Sequence, residues 1–180
     1  MVAMTPAVPL SVSELRANRF FEEFMERELT ALLKACEMQT FGPGECVVRE
    51  LDTSDDLFVI LSGKIRIGKT LYAGDEKDIC VLGPGEFFGE MAFLDGEPRS
   101  ATVWSVDQTV LFKLSRESFD TLVARKPMIA YKIVLKIARV LSGRLRESND
   151  IIESMFSSPN KAIIELKARL LKIQTMLMRR

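Results

Sequence analysis

Gly89-Glu90 opens a mostly apolar stretch running from Phe87 to Val103, and Arg99 follows nine residues after the glutamate. An acid and a base set among residues destined for an interior suit recognition better than bond breaking. If Glu90-Met91-Ala92-Phe93-Leu94 forms a single helical turn, its first amides lack partners within the turn. They carry partial positive charge and offer a seat for an anion. Gly89 lets a ligand approach the backbone closely. Arg99 supplies a charge-assisted, bidentate contact to a phosphate. The carboxylate of Glu90 is an acceptor, so its natural partner is a hydroxyl beside that phosphate, such as a ribose 2′-OH. An anion seat, a hydroxyl acceptor and an apolar surround describe one nucleotide with a single phosphate.

Other chemistries have less to work with. The chain has no histidine, which removes His-assisted serine or cysteine hydrolysis, most catalytic zinc sites and the simplest pH switch. Cys36, Cys46 and Cys80 are odd in number and widely spaced; buried, reduced thiols are expected, not a disulfide framework or a zinc site. No catalytic or metal residue is therefore assigned, no cofactor is implied, and the chain is read as non-enzymatic. No apolar run approaches the roughly eighteen residues of a membrane span, and the start, MVAMTPAVPLSVSEL, lacks a basic leader. A cytoplasmic protein is expected.

The formal net charge is zero, but its distribution is uneven. From Pro159 to Arg180 there are six basic residues, Lys161, Lys167, Arg169, Lys172, Arg179 and Arg180, against the single acid Glu165. The first 158 residues therefore carry a net charge of −5, which is no footprint for nucleic acid. The basic end reads as a solvated face, with a partner or membrane surface as the sharper possibility.

Three zones must position the candidate residues. From Ser11 to Cys36, Phe20, Phe21, Phe24, Met25, Leu29, Leu32 and Leu33 recur at helical spacing. The middle zone consists of short strand-like runs: Cys46 to Val48, Leu57 to Leu61, Ile65 with Ile67, Ile79 to Leu82, Ala101 to Val106 and Thr109 to Leu114. Two Gly-Pro-Gly-Glu turns, Gly42 to Glu45 and Gly83 to Glu86, punctuate them, and Ser62-Gly63-Lys64 reads as a hairpin. This pattern argues for a small antiparallel roll or jelly roll.

The third zone is helical. Ser115 caps a helix to about Lys126, and Pro127 interrupts it before a longer one. Along that longer helix Val134, Ala138, Leu141, Leu145, Ser148, Ile152 and Met155 step by alternate fours and threes. Ser158-Pro159 reads as a new cap, followed by a seam at Ile163, Leu166, Leu170, Ile173 and Leu177. Such seams suit a two-helix contact. They are read as homodimer contacts, the alternative being a stripe packed on the roll. The expected fold is α+β: an antiparallel β-roll or jelly roll flanked by N-terminal helices and a long C-terminal helix, with a further terminal helix. The expected divisions are an extension over 1–19, the roll with flanking helices over 20–126, a long helix over 127–156 and an amphipathic helix over 159–180.

Gly89-Glu90-Met91-Ala92, followed by Pro98-Arg99-Ser100-Ala101-Thr102, resembles the phosphate-binding cassette of the cyclic nucleotide-binding domain family. That family includes the catabolite activators, the regulatory subunits of cyclic-AMP-dependent kinase and the cyclic nucleotide-gated channels. The likeness spans about Phe20 to Met155 and includes Phe41 to Glu45 and Asp56 to Gly63. It implies that Glu90 accepts the ribose 2′-OH while Gly89, Met91 and Ala92 line the sugar-phosphate. Arg99 would hold the cyclic phosphate, helped by Ser100, with Ala101 following in the motif. It also places Ser148 and Asn149 where catabolite activators carry two small polar residues that reach the base; a plain exposed polar stretch is the competing reading. The implied function is a homodimeric sensor that binds cyclic AMP in preference to cyclic GMP and re-angles its C-terminal helices. A structural module that keeps the roll without the ligand is the alternative. Leu51 stands where the family usually has glycine, so a reshaped turn is expected there. The residues after the long helix are too few for a helix-turn-helix, so direct DNA binding is not expected and the output partner is unassigned.

Overall fold

The computed structural model describes residues 11–70 and 76–177, with side chains described over 11–69 and 77–154. The first part of the expected extension over 1–19 and the side chains of the basic end and second seam lie outside the described residues. Elements α1 (Val12–Ala17), a 3₁₀ turn (Arg19–Phe21) and α2 (Glu26–Ala35) come first. They are followed by β1 (Glu37–Phe41), β2 (Cys46–Val48), β3 (Leu57–Ser62), β4 (Ile65–Thr70), β5 (Glu76–Leu82) and β6 (Phe87–Phe88). Then come α3 (Glu90–Asp95), β7 (Thr102–Ser105), β8 (Thr109–Leu114), α4 (Arg116–Arg125) and α5 (Pro127–Leu177). The chain divides into two units, ending and beginning at Val134 and Leu135.

In the first unit the strands form two antiparallel four-stranded sheets, ordered β1-β8-β3-β6 and β2-β7-β4-β5, the expected roll. Val48, Phe58, Ile60, Ile65, Leu82, Phe88, Val103 and Leu111 fill the core between them. Side chains alternate across a strand, so the neighbours of these residues face the other way. Phe87 lies edge-on to Phe20, and Phe112 edge-on to Phe21. Strand β3 is buried along Leu57 to Ile60 for this reason.

Polar groups tie the helices to the sheets. Asn18 donates from Nδ2 to the Ile60 carbonyl at 2.8 Å and accepts the Phe20 amide at 3.0 Å. Lys132, near the start of α5, donates to Glu28 Oε2 at 2.6 Å and to the Glu23 carbonyl at 3.1 Å. Burial pushes the Glu28 carboxyl up, but hydrogen bonds from Lys132 and the Met25 amide, with the charges of Lys132 and Arg27, outweigh it. The group is held below its ordinary value.

Both Gly-Pro-Gly-Glu stretches form the same turn. The glutamate carboxylate accepts the amide of the first glycine at 2.7 Å in each, Glu45 for Gly42 and Glu86 for Gly83. The third residues, Gly44 and Gly85, have φ of 77° and 85°, the left-handed region glycine enters without steric cost. Strand β1 was not expected: its burial shows no alternation, and its pairing with β8 in residues 37–41 supplies the order.

Ser115 caps α4 by accepting the Ser118 amide at 3.2 Å, and Pro127 starts α5, as expected. The second cap is a correction: α5 runs unbroken through Ser158-Pro159 to Leu177. Proline inside a helix removes one backbone hydrogen bond, and here that local penalty does not end the helix. In the second unit Ala138, Leu145, Ser148 and Ile152 of the first seam are exposed.

Candidate nucleotide-binding site

The candidate residues meet where β6 hands the chain to α3. Phe87 and Phe88 anchor the turn, both buried. Gly89 follows with φ 81° and ψ 5°. A Cβ at that position would lie 2.5 Å from Arg99 Nη1 and 2.8 Å from the Asp56 carbonyl oxygen. Conformation and space therefore both demand glycine. The left-handed residue swings the chain into α3, leaving the first amides of that helix without intrahelical acceptors. The expected helical turn is thus present, six residues long. Glu90, Ala92 and Phe93 are buried, whereas Met91 is half exposed.

Arg99 lies in the connection between α3 and β7, three residues ahead of that strand. It is only 3% exposed. Its Nε donates to Ser54 Oγ at 3.1 Å and its Nη1 to the Gly89 carbonyl at 3.2 Å. Its Nη2 is buried without a hydrogen-bond partner. An unsatisfied buried donor costs about 1–3 kcal/mol, a cost that an anionic oxygen brought to this atom would relieve. The guanidinium carbon stands 5.7 Å from the centre of the Phe58 ring. Burial pulls the Arg99 pKa below its ordinary value, opposed by Asp56, Asp55, Asp52 and, least of the four, Glu90.

The β2–β3 connection, residues 49–56, clasps the arginine from behind. Leu51 donates its amide to the Arg99 carbonyl at 2.9 Å, and the Arg99 amide donates to the Asp52 carbonyl at 2.8 Å. Asp56 is neutralised on its outer side by Lys113 at 3.3 Å. The turn expected to be reshaped at Leu51 keeps the left-handed geometry a glycine would take: Leu51 has φ 69° and is 76% exposed. Sequence reasoning missed Ser54 and the three aspartates of this loop. The available signal was an acid-rich, eight-residue polar stretch between two strands.

Gly89, Glu90, Ala92 and Arg99 are thus brought together. Ser100 is exposed, with its Oγ on Met91 Sδ at 3.5 Å, and Ala101 is half-buried beside them. Ser148 and Asn149 are exposed on α5 in the second unit, and Ser148 Oγ donates back to the Arg144 carbonyl at 2.9 Å. Among the described residues no group of His, Cys, Asp or Glu is arranged to hold a metal ion. No described helix is long and apolar enough to cross a membrane. Among the described residues the arrangement offers one unmet cationic donor, amides at the start of a helix, which lack intrahelical acceptors, and a buried carboxylate, which suits an anion bearing a neighbouring hydroxyl.

Known proteins share this arrangement of elements. Residues 38–126 match the model of the Cyclic nucleotide-binding domain, and the chain belongs to that family, in its catabolite-activator type. It is 32% identical over 135 residues to the Cyclic AMP receptor protein of Thermus thermophilus, covering 75% of this chain and 61% of that protein. It is 31% identical over 121 residues to the cGMP-dependent protein kinase of Eimeria tenella, covering 67% of this chain and 12% of the kinase. The solved Thermus thermophilus Catabolite Activator Protein superposes with a TM-score of 0.66 at 31% identity, over 76% of this chain and 62% of that one. The chain spans less than two thirds of the length of each of these proteins.

Proposed function

We propose that the protein is a non-enzymatic cyclic nucleotide sensor that works in the cytoplasm. The observation that carries this reading is the buried Arg99 guanidinium with its unpartnered Nη2, bonded through Nη1 to the residue that opens α3. Arg99 holds the cyclic phosphate, with Ser100 beside it. The amides of Met91 and Ala92, with Gly89, line the sugar-phosphate, Ala101 packs next to them, and Glu90 accepts the ribose 2′-OH. Cyclic AMP is favoured over cyclic GMP. The likeness to a Cyclic AMP receptor protein supports this choice, and the likeness to a cGMP-dependent protein kinase is why both nucleotides belong in the test.

The exposed seam of α5 pairs two copies into a homodimer, and Ser148 and Asn149 reach the base. Binding then re-angles the helices at that interface, and the free energy for the change is the difference in nucleotide affinity between the two helix arrangements. The test is calorimetric titration with cyclic AMP and cyclic GMP in parallel, with sedimentation of the same samples. Micromolar or tighter binding of cyclic AMP to a dimer is the expected result. Absence of heat with either nucleotide would leave the roll as an interaction scaffold.

A further inference from the structure

Helix α3 has six residues, too few to hold a helical conformation unaided. Its N-terminal end opens toward the anion seat, so whatever holds its other end sets the aim of the seat. The last carbonyls of any helix lack intrahelical donors. At α3 the Ala92 carbonyl takes the Gly96 amide at 2.9 Å. The Phe93 carbonyl takes Nη1 of Arg116, from α4, at 2.8 Å.

Arg116 sits at a position that does its own helix no service. It is the first residue of α4, where the helix dipole disfavours a cation. Asp120, one turn on, offsets this by accepting from Arg116 Nε at 3.2 Å. For α3 the same charge stands at the C-terminal end, where a cation is favourable. The contact is reinforced through the same residue: the Phe93 ring packs edge-on against Phe119 of α4, with centroids 4.9 Å apart. Positions 116 and 119 lie three apart and share one face of α4. One residue of the short helix is therefore gripped by its carbonyl and by its ring.

We propose that Arg116 is a positioning residue for the phosphate seat: its bond to the Phe93 carbonyl fixes the aim of the α3 amides. This rests on the reading of Arg99 and α3 as a nucleotide site. The donor touches no ligand and acts only through α3.

Wild type, Arg116→Ala and Arg116→Lys should be titrated with cyclic AMP and cyclic GMP, and their amide hydrogen exchange followed without nucleotide. The expected result is about tenfold weaker binding for Arg116→Ala. Binding returns to within about twofold for Arg116→Lys, whose ammonium still reaches the carbonyl. Exchange at Phe93 and Gly96 quickens about tenfold in the alanine variant while the sheets are unaffected. Wild-type affinity in Arg116→Ala overturns the proposal. So does failure of lysine to restore binding, or faster exchange spread over the whole roll, which marks a merely structural role. If wild type takes up neither nucleotide, the functional reading falls. The exchange data then decide alone: unchanged exchange in α3 removes Arg116 as its anchor, and a local quickening keeps it.

Discussion

Replacing Arg99 by methionine separates ligand recognition from folding, because the energies differ in the empty and the occupied protein. Without ligand the substitution loses the bonds to Ser54 Oγ and the Gly89 carbonyl, at 3.1 and 3.2 Å. Both are longer than the roughly 2.7–2.9 Å of a strong charge-assisted bond, so each is counted at about 1 kcal/mol. The substitution also removes the buried Nη2 that has no partner, a relief of about 1–3 kcal/mol. These terms oppose each other and nearly cancel. Exposing Asp52, Asp55 and Asp56 to one another without the cation adds a small loss, so the net change in stability stays below about 2 kcal/mol. In the occupied protein nothing offsets the missing charge. Truncating one member of a desolvated charge pair costs about 2–5 kcal/mol, a roughly thirtyfold to several-thousandfold rise in Kd. Calorimetric titration gives the affinity, and urea unfolding without ligand gives the stability. An affinity within about threefold of wild type would refute the assignment of Arg99 to the phosphate. A stability loss as large as the affinity loss would show instead that the arginine is a structural tie.

Two further substitutions test the surroundings of the site. Leu51→Gly should stabilise the protein by about 0.5–1 kcal/mol in urea unfolding, because a non-glycine residue at φ 69° is strained by about 1–2 kcal/mol, part of which returns as glycine entropy; the side chain is 76% exposed, so little burial is lost, and a loss of stability would deny the strain. Glu28→Gln should cost about 1–2 kcal/mol at pH 7, since its carboxylate accepts from Lys132 at 2.6 Å. The folded carboxyl is held below its ordinary value, so its stabilisation is complete above the unfolded value of about 4.3 and fades as pH falls through the lower folded value. The wild type and Glu28→Gln should therefore converge in thermal unfolding at acid pH, and a gap that persists undiminished there would refute the pair's role.

What could be read from the sequence were features whose cause is local. The two Gly-Pro-Gly-Glu turns, the strand-like run from Leu57 to Leu61, the Ser115 cap and the turn of helix after Gly89 each depend on residues within a few positions. Features closed by distant partners were invisible. Ser54 meets Arg99 across 45 residues, and no spacing rule links them. Strand β1 carries no alternation of its own and owes its order to β8. At Ser158-Pro159 a strong local stop signal was overridden, and at Leu51 a turn kept its geometry although the residue suited to it is absent.

Arg99 stands between these two kinds of information. Its charge among apolar neighbours drew attention in the sequence, where a buried salt bridge was the competing explanation, weakened by the desolvation that cancels most of its attraction. What the guanidinium does with its donors favours the proposed ligand role. A purely structural arginine at 3% exposure would be expected to spend all of them, since each unspent one costs stability. Here the loop behind it is tied by two backbone bonds that do not involve the side chain at all. The fold thus holds the arginine by its backbone and by two of its side-chain donors, and leaves Nη2 without a partner. That one donor left over, after backbone and side chain have fixed the residue, is the physical argument for the proposed recognition at this site.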